Sequence, residues 1–315
     1  MSEQILLSIL NTSKTYRSKG AKVEAVKQLS LDLKPGTVLG IIGESGSGKS
    51  TLAKMIIGLE NITAGDILFR EESIRTWLKK KPREFRSHCQ MIFQNPFESF
   101  DPLQTIEQSL MEIVRIYHRD WSKEKGLDYC RSQLEKYGLL PGSDFMRRYP
   151  HELSGGQLQR IAILRAMIPQ PELLLADEAV SMLDVSVRAD IINLFYDIAK
   201  TNQTSLIFIS HDILTSAYLS DEVCVMYQGR VVEYGTADKV IHNPVHPYTQ
   251  ALITCCGDLN GQIHTAAINK HHPVQSSGGC PYINRCPHAT PACGCTLPEL
   301  RILENDHSVR CIKSE

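Results

Sequence analysis

The stretch GESGSGKST, Gly43–Thr51, follows the short apolar run TVLGII and leads into KSTLAKMIIGL, whose apolar residues recur at helical spacing. This order of strand, glycine-rich loop and helix is the context that the pattern G-x-x-x-x-G-K-[ST] requires. Glycines let successive backbone N–H groups turn toward one anion, and the N-terminus of the following helix adds about half a positive charge. The stretch therefore predicts a phosphate-binding loop between a buried strand and a helix.

Two side chains of this loop have predicted roles of their own. Lys49 would reach the β- and γ-phosphates of a nucleotide, and the hydroxyl of Ser50 would bind Mg²⁺. The alternative is a glycine-rich turn that binds nothing. We expect every loop residue to contact the nucleotide: Gly43, Glu44, Ser45, Gly46, Ser47, Gly48, Lys49, Ser50 and Thr51.

A second apolar strand ends in two carboxylates, in LLLADE at Leu173–Glu178. A buried strand that ends at Asp177 can present this carboxylate to Mg²⁺. Glu178 then points to the other side and can polarise a water molecule for attack on the γ-phosphate. For Glu178 alone the alternative is an ordinary charge at the end of a strand.

The stretch ELSGGQLQRIAILRAMI lies between these two elements and predicts another helix N-terminus with free amides, at Ser154, Gly155 and Gly156. It is a second potential phosphate site on one chain. The economical solution is a dimer, in which each nucleotide is held by the phosphate loop of one subunit and the Ser-Gly-Gly turn of the other.

The remaining pattern predicts an α/β fold. Further buried-strand candidates are CQMIF, ELLLAD and SLIFIS, and helix-length segments separate them, which is typical of a largely parallel sheet. LSLDLKPG alternates like a half-exposed strand that ends at Pro35-Gly36. Residues Thr105–Tyr149 are predicted to form an inserted helical subdomain, and EVCVMYQGRVVEYG a hairpin about Gln228-Gly229. From about Cys256 the periodicity fades.

Composition excludes several classes of protein. The 315 residues carry 34 Lys and Arg against 35 Asp and Glu, so the chain lacks the basic footprint of a nucleic-acid-binding protein. KKKPR, Lys79–Arg83, is interpreted as a solvated face. The N-terminus has no basic region, and its apolar run is far shorter than the roughly 20 residues that span a bilayer. We expect a cytoplasmic protein whose ten cysteines do not form a disulfide framework.

Six motifs in order resemble those of the ATP-binding subunits of ABC transporters, over about residues 5–255. The resemblance implies a P-loop NTPase core with an inserted helical subdomain. It assigns γ-phosphate and magnesium sensing to Gln94 in IFQNP, contact with the opposite subunit to SMLD (Ser181–Asp184), and a switch role to His211 in ISHD. It places Tyr16 where an aromatic ring stacks on adenine.

The expected site follows from these matches. The catalytic residues are Glu178, His211 and Gln94, and the magnesium ligands are Ser50, Gln94 and Asp177. The remaining nucleotide contacts outside the phosphate loop are Tyr16, Ser154, Gly155, Gly156, Gln157 and Asp184. Two positions depart from the family pattern: Ala179 replaces a proline, and Met182 replaces a small residue.

More local matches resemble the importers of oligopeptides, dipeptides or nickel and related metal chelates: QNPFESFDP, DVSVRAD and NPVHPYTQAL. They imply a peripheral protein on the cytoplasmic face of the membrane. Its partners would be a second ATP-binding subunit of a different chain, two membrane permease subunits and an extracytoplasmic binding protein, with no nucleic acid. The alternatives are a soluble ABC ATPase that acts outside transport, and a regulatory module that holds ATP without turnover.

We expect two domains, an ATP-binding domain (1–255) and a C-terminal region (256–315). The C-terminal region contains the stretch CPYINRCPHATPAC. Cys280, Cys286, Cys293 and Cys311 match a pattern that in some members of this importer group holds a [4Fe-4S] cluster. Zinc would accept the same four sulfurs, and cysteines that act as small buried hydrophobic residues are the third interpretation. Cys295 is an alternative to Cys293.

Overall fold

The computed structural model describes residues 5–18, 21–255, 278–303 and 306–313. The chain forms two compact units. The first contains Met1–Ile74 and Phe208–Glu315, and the second contains Arg75–Ile207. Expectations that concern residues 256–277, where the helical and strand periodicity fades, lie outside the described residues.

The N-terminal part of the first unit contains a four-stranded antiparallel sheet and the strand that leads into the phosphate loop. Leu29, Leu31 and Leu33 are all buried, so the alternating strand predicted there is confirmed. The elements are β1 (Leu7–Ser18), β2 (Ala21–Leu33), β3 (Val38–Ile42), α1 (Lys49–Ile56), β4 (Ala64–Phe69) and β5 (Glu72–Ser73). The sheet order is β2-β1-β4-β5, and every residue of β3 is buried.

The second unit combines two parallel strands with the predicted helices. Its elements are α2 (Ile74–Lys80, which begins in the first unit), α3 (Pro82–His88), β6 (Cys89–Ile92), α4 (Ile106–Tyr117), α5 (Lys123–Lys136), α6 (Gly142–Arg147), α7 (Gly155–Met167), β7 (Leu173–Asp177) and α8 (Val185–Asn202). β6 and β7 pair in parallel, and β7 is entirely buried. Helices α4 to α6 confirm the helical segment, which begins with a capping box between Thr105 and Gln108.

The chain returns to the first unit within β8 (Ser205–Ser210), all of whose residues are buried. The elements that follow are α9 (Ile213–Leu219), β9 (Glu222–Tyr227), β10 (Arg230–Thr236), α10 (Ala237–His242), α11 (Pro247–Cys255), α12 (Pro291–Cys295), β11 (Arg301–Ile302) and β12 (Ser308–Val309). The predicted hairpin is confirmed: Gln228 and Gly229 both have positive φ, as a two-residue turn of this kind requires.

Two pairings describe a second sheet, to which β3, β9, β10 and β12 of the first unit belong. β3 runs parallel to β9, which places the phosphate loop at the end of a buried parallel strand. β12 pairs antiparallel with β10, so the C-terminal region adds strands that the fading periodicity did not predict. Within the described ranges, every helix is too short or too polar to cross a bilayer.

Candidate nucleotide site and cysteine-lined cavity

The phosphate loop has a backbone that only glycine fits at two positions. Gly48 has φ +102°, and a Cβ there would lie 2.2 Å from the carbonyl oxygen of Ala25. A Cβ on Gly43 would lie 2.2 Å from the carbonyl oxygen of Met226. The close approach of neighbouring backbone, together with the positive φ, therefore sets the loop conformation.

The Lys49 side chain is hydrogen-bonded to the backbone of the phosphate loop. This side chain is buried, and Nζ donates to the carbonyl oxygens of Gly43 at 2.7 Å and Glu44 at 2.9 Å. It also lies 3.4 Å from Oγ of Ser47. The ammonium group is thus held at the centre of the loop, and Ser50 follows it in the first turn of α1.

Glu44 is held by two residues that sequence reasoning missed. Arg285 donates through both terminal nitrogens to the carboxylate, at 2.8 Å each. The backbone N–H of Glu44 donates to the hydroxyl of Tyr248 at 2.8 Å. The hydrogen bond from Arg285 lowers the pKa of the Glu44 carboxyl, which stays ionised. Because Arg285 lies 241 residues from Glu44, no local pattern could have predicted the pair.

In the second unit, the end of β7 and the segment after β6 bring three predicted site residues together. Nε2 of Gln94 donates to Oε2 of Glu178 at 3.1 Å and lies 3.3 Å from Oγ of Ser181. The Ser181 hydroxyl donates to the backbone carbonyl of Glu178 at 2.9 Å. Asp177 is buried at the last position of β7. A half-buried carboxylate and an exposed amide thus lie next to a buried carboxylate.

The Ser-Gly-Gly turn begins α7 as predicted. Oγ of Ser154 accepts from the Gln157 N–H at 3.3 Å, and Oε1 of Gln157 accepts from the Ser154 N–H at 3.0 Å. A Cβ on Gly156 would lie 2.4 Å from Cγ1 of Val187, so close packing against α8 requires glycine there. Contact between this turn and a nucleotide stays a prediction.

Three further predicted residues are accessible. Tyr16 is 37% exposed on β1, and the Lys14 ammonium lies 4.8 Å from its ring centroid. His211 is exposed directly after β8, and Asp184 is exposed at the N-cap of α8. Their roles toward nucleotide stay predictions. Of the two departures from the family pattern, Ala179 is buried and Met182 is exposed.

The C-terminal region and residues 245–250 line a cavity of about 260 Å³ that we call the cysteine-lined cavity. Cys295 is exposed, and its thiol donates to the carbonyl oxygen of Pro291, whereas Cys293 lines the cavity. The lining residues are Val245, His246, Pro247, Gln250, Cys280, Tyr282, Ile283, Cys286, His288, Cys293, Pro298, Cys311, Ile312 and Lys313.

Backbone contacts bring the cysteines to this cavity. The Cys280 N–H donates to the Cys293 carbonyl at 2.8 Å, and a Cβ on Gly279 would lie 2.1 Å from the same oxygen. Burial raises the pKa of the thiols of Cys280 and Cys286, and nearby cysteines raise it further. In the part of the chain that the structure describes, the cysteines form no disulfide.

The other wall is fixed by a buried carboxylate. Glu233 on β10 accepts from the backbone N–H groups of Val245 and His246, at 2.8 and 2.9 Å, and lies 2.8 Å from Nε2 of His307. Nδ1 of His246 accepts from the Tyr248 N–H at 3.0 Å. Burial lowers the pKa of His246 to about 4, so this imidazole is neutral at pH 7.

The number of cysteines at the cavity suits a metal group, but within the described residues they are not grouped closely enough to hold a metal ion. Four cysteines line the cavity, which is the ligand set that a [4Fe-4S] cluster takes. A single zinc ion needs its sulfurs about 2.3 Å from one point. Among the described residues, no three His, Cys, Asp or Glu side chains are grouped to hold one metal ion.

Sequence comparison gives the family. The pattern of the ABC transporter family matches residues 26–181. The oligopeptide transport ATP-binding protein OppF of Salmonella typhimurium is 42% identical over 299 residues, which cover 92% of this chain and 88% of that protein. The chain belongs to the ATP-binding subunits of ABC transporters. Like those subunits, it binds and hydrolyses ATP.

Other relatives of this ABC ATP-binding subunit extend the match to the tail. OppF of Escherichia coli is 39% identical and covers 98% of this chain and 96% of that protein. A di/tripeptide transport ATP-binding protein of Pseudomonas aeruginosa is also 39% identical, covering 94% and 91%. The family pattern described as the oligopeptide/dipeptide transporter C-terminal region matches residues 232–293, so it begins before the expected boundary at 255.

Solved structures agree with the α/β fold of an ABC ATPase. The ATP-binding cassette MJ0796, described as a dimer in a post-hydrolysis state bound to ADP and Pi, superposes with a TM-score of 0.67 at 25% identity. It covers 73% of this chain and 98% of that one. The cassette cbiO1 of Clostridium perfringens has a TM-score of 0.66 at 26% identity. The match covers 76% of this chain and 92% of cbiO1.

Proposed function

We propose that this ATPase powers the uptake of peptides through partner membrane subunits. The observation that carries the proposal is the match of one chain to both an ABC cassette and the C-terminal region of oligopeptide and dipeptide transporters. The relatives at 39–42% identity are named for oligopeptide and di/tripeptide transport. Nickel or another metal chelate is the alternative cargo.

The proposed chemistry assigns one task to each group. Lys49, held at the centre of the phosphate loop, neutralises the β- and γ-phosphates. Glu178 accepts the proton of the attacking water, and Gln94, 3.1 Å from its carboxylate, orients that water. Ser50, Gln94 and Asp177 would hold Mg²⁺ through oxygen atoms, the ligand type that this ion prefers, and the ion would offset phosphate charge.

The remaining nucleotide contacts belong to a proposed dimer. Ser154–Gln157 supplies amides at the N-terminus of α7, and Asp184 contacts the opposite subunit. Tyr16 stacks on adenine, and His211 donates to the γ-phosphate as charge develops. To drive a mostly open dimer to near-complete closure, ATP must favour the closed form by about 5 kcal/mol, which several such contacts can supply.

The proposed partners are those of an importer: a second ATP-binding subunit of a different chain, two membrane permeases and an extracytoplasmic binding protein. The chain would then sit on the cytoplasmic face of the membrane as a peripheral subunit. The helical segment α4–α6 is the part that we propose contacts the permeases.

Transport in reconstituted vesicles tests the cargo. The chain, with its permeases and binding protein, should drive ATP-dependent uptake of labelled peptides, and Lys49→Gln should abolish it while Lys54→Gln on the same helix keeps it. If the vesicles take up a nickel chelate but no peptide, the cargo is a metal chelate and the peptide proposal is wrong. Failure to co-purify with any integral membrane protein would instead favour an ABC ATPase that acts outside transport.

We further propose that the cysteine-lined cavity holds a [4Fe-4S] cluster through Cys280, Cys286, Cys293 and Cys311. What supports it is that these four thiols share one cavity. Such a cluster would supply electron transfer or a rigid cross-link. The test is anaerobic purification followed by assays of iron, acid-labile sulfide and zinc. Four irons and four sulfides, lost in Cys280→Ser and kept in Cys295→Ser, are expected; zinc or no metal contradicts the cluster.

A further inference from the structure

Glu44 joins the phosphate loop to the C-terminal region. Arg285 clamps its carboxylate with two hydrogen bonds of 2.8 Å, a geometry that fixes both position and orientation. Tyr248 accepts the hydrogen bond from its N–H. Both the side chain and the backbone of the second loop residue are therefore held by residues outside the cassette motifs.

The position of Arg285 is in turn set by the wall of the cysteine-lined cavity. The residue lies between Cys280 and Cys286, and the Cys286 N–H donates to the carbonyl of Tyr282 at 3.0 Å. The Tyr282 ring packs against Tyr248 with centroids 5.3 Å apart. This aromatic contact connects the turn that carries Arg285 to the same tyrosine that binds the Glu44 N–H.

The ion pair between Arg285 and Glu44 changes the charge of the phosphate loop and should therefore affect nucleotide binding. Glu44 is an anion within the loop whose remaining groups, Lys49 above all, attract phosphate. An unpaired carboxylate there would repel the polyphosphate, and Arg285 cancels that charge. Both side chains are nearly half exposed, at 49% and 41%, so the pair contributes little to folding and its effect should be screened by salt.

We propose that Arg285 is a positioning residue for ATP, through which the cysteine-containing region neutralises Glu44 and keeps the phosphate loop able to accept a triphosphate. The inference rests on the proposed role of Gly43–Thr51 as the nucleotide site. It makes the C-terminal region part of the nucleotide site's electrostatics rather than an independent appendage.

The test is the affinity of the full-length chain for MgATP, measured with a fluorescent ATP analogue and by competition with ATP, at low and high salt. Arg285→Gln should weaken binding by about three- to tenfold at low salt, because it leaves an unpaired carboxylate within the phosphate loop. Arg285→Lys keeps the charge but loses the bidentate geometry, so it should weaken binding less than Arg285→Gln does. Arg301→Gln removes an exposed arginine from the same region and serves as the matched control.

The sign of the Glu44 variants separates an electrostatic role from a merely structural one. Glu44→Gln removes the negative charge and leaves the Arg285 guanidinium without its carboxylate, so it should bind ATP more tightly than wild type at low salt. Arg285→Gln combined with Glu44→Gln should restore most of the affinity that Arg285→Gln loses. If both single variants weaken binding and the double variant is weaker still, the charge argument is wrong. Thermal unfolding of each variant checks that it is folded.

Failure of the proposed nucleotide site gives a different result. If Lys49→Gln binds ATP like wild type, Gly43–Thr51 is not the site and the inference loses its basis. If Lys49→Gln loses binding while Arg285→Gln equals wild type at low salt, the site stands and the role of Arg285 is overturned.

Discussion

The phosphate loop and the cysteine-lined cavity lie in the same unit, yet their residues come together in different ways. The loop is nine consecutive residues, and its conformation follows from positive-φ glycines and one buried lysine. The cavity gathers residues from α11, from the turns that begin at Cys280 and from the segment after β12. A contiguous motif carries its geometry in its own sequence, whereas a dispersed site depends on the packing that assembles it.

The largest effect is expected on ATP turnover, which should depend on Glu178 and not on Cys295. Glu178→Gln removes the proposed base and should lower the turnover of the assembled transporter by about 10²–10⁴-fold, while ATP still binds and traps a closed dimer. Phosphate release measures the loss of turnover, and nucleotide retention measures the trapped ATP. Cys295→Ser, outside the cavity lining, should turn over ATP like wild type. Wild-type turnover by Glu178→Gln would remove this residue from the mechanism.

Glycine substitutions test how strictly the loop specifies its own backbone. Gly46 and Gly48 both have positive φ, but only Gly48 would place a Cβ against a carbonyl, 2.2 Å from Ala25. Gly46→Ala should lower the free energy of unfolding by about 1 kcal/mol from backbone strain alone. Gly48→Ala should cost about 3 kcal/mol because overlap is added. Equal losses in chemical denaturation would show that the contact with Ala25 does not matter.

A smaller effect is expected on the cavity side, as a function of pH. Burial lowers the pKa of His246 to about 4, below its ordinary value near 6.5, so the unfolded chain binds more protons in this range. The neutral His246 therefore contributes to the free energy of unfolding above pH 6.5, and this stabilisation is lost as the pH falls toward 4. Between pH 7 and pH 5 it amounts to about 2 kcal/mol of unfolding free energy.

His246→Asn is the matched variant, because its side-chain oxygen can replace Nδ1 as acceptor for the Tyr248 N–H. Its unfolding free energy should depend less on pH between 7 and 5 than that of wild type. An unchanged pH dependence would assign the acid sensitivity to other groups.

The sequence predicts the elements that carry local signals. β3, β7 and β8 appear as short apolar runs, α4 has a capping box, and Ser154 begins α7. Gln94 and Glu178, 84 residues apart, could be placed together only through the family resemblance.

The contacts of the tail could not be predicted. β12 is two residues long and pairs with β10, and the partner of Arg285 is 241 residues away, so neither has a periodicity to detect. The cysteine pattern of the importer group singled out the four cysteines that line the cavity, but not His246 or Tyr282 beside them. Pairing and packing at long sequence separation determine these contacts.

The most direct test of the nucleotide site is ATP binding by the full-length chain with Lys49 changed to Gln. The ammonium that Gly43 and Glu44 hold at the centre of the loop should contribute about 1.5–3 kcal/mol to phosphate binding. The dissociation constant should therefore rise by about 10- to 100-fold. Lys54→Gln, an exposed change on the same helix, should leave it unchanged. Equal affinity of Lys49→Gln and wild type would contradict the assignment of Gly43–Thr51 as the ATP site.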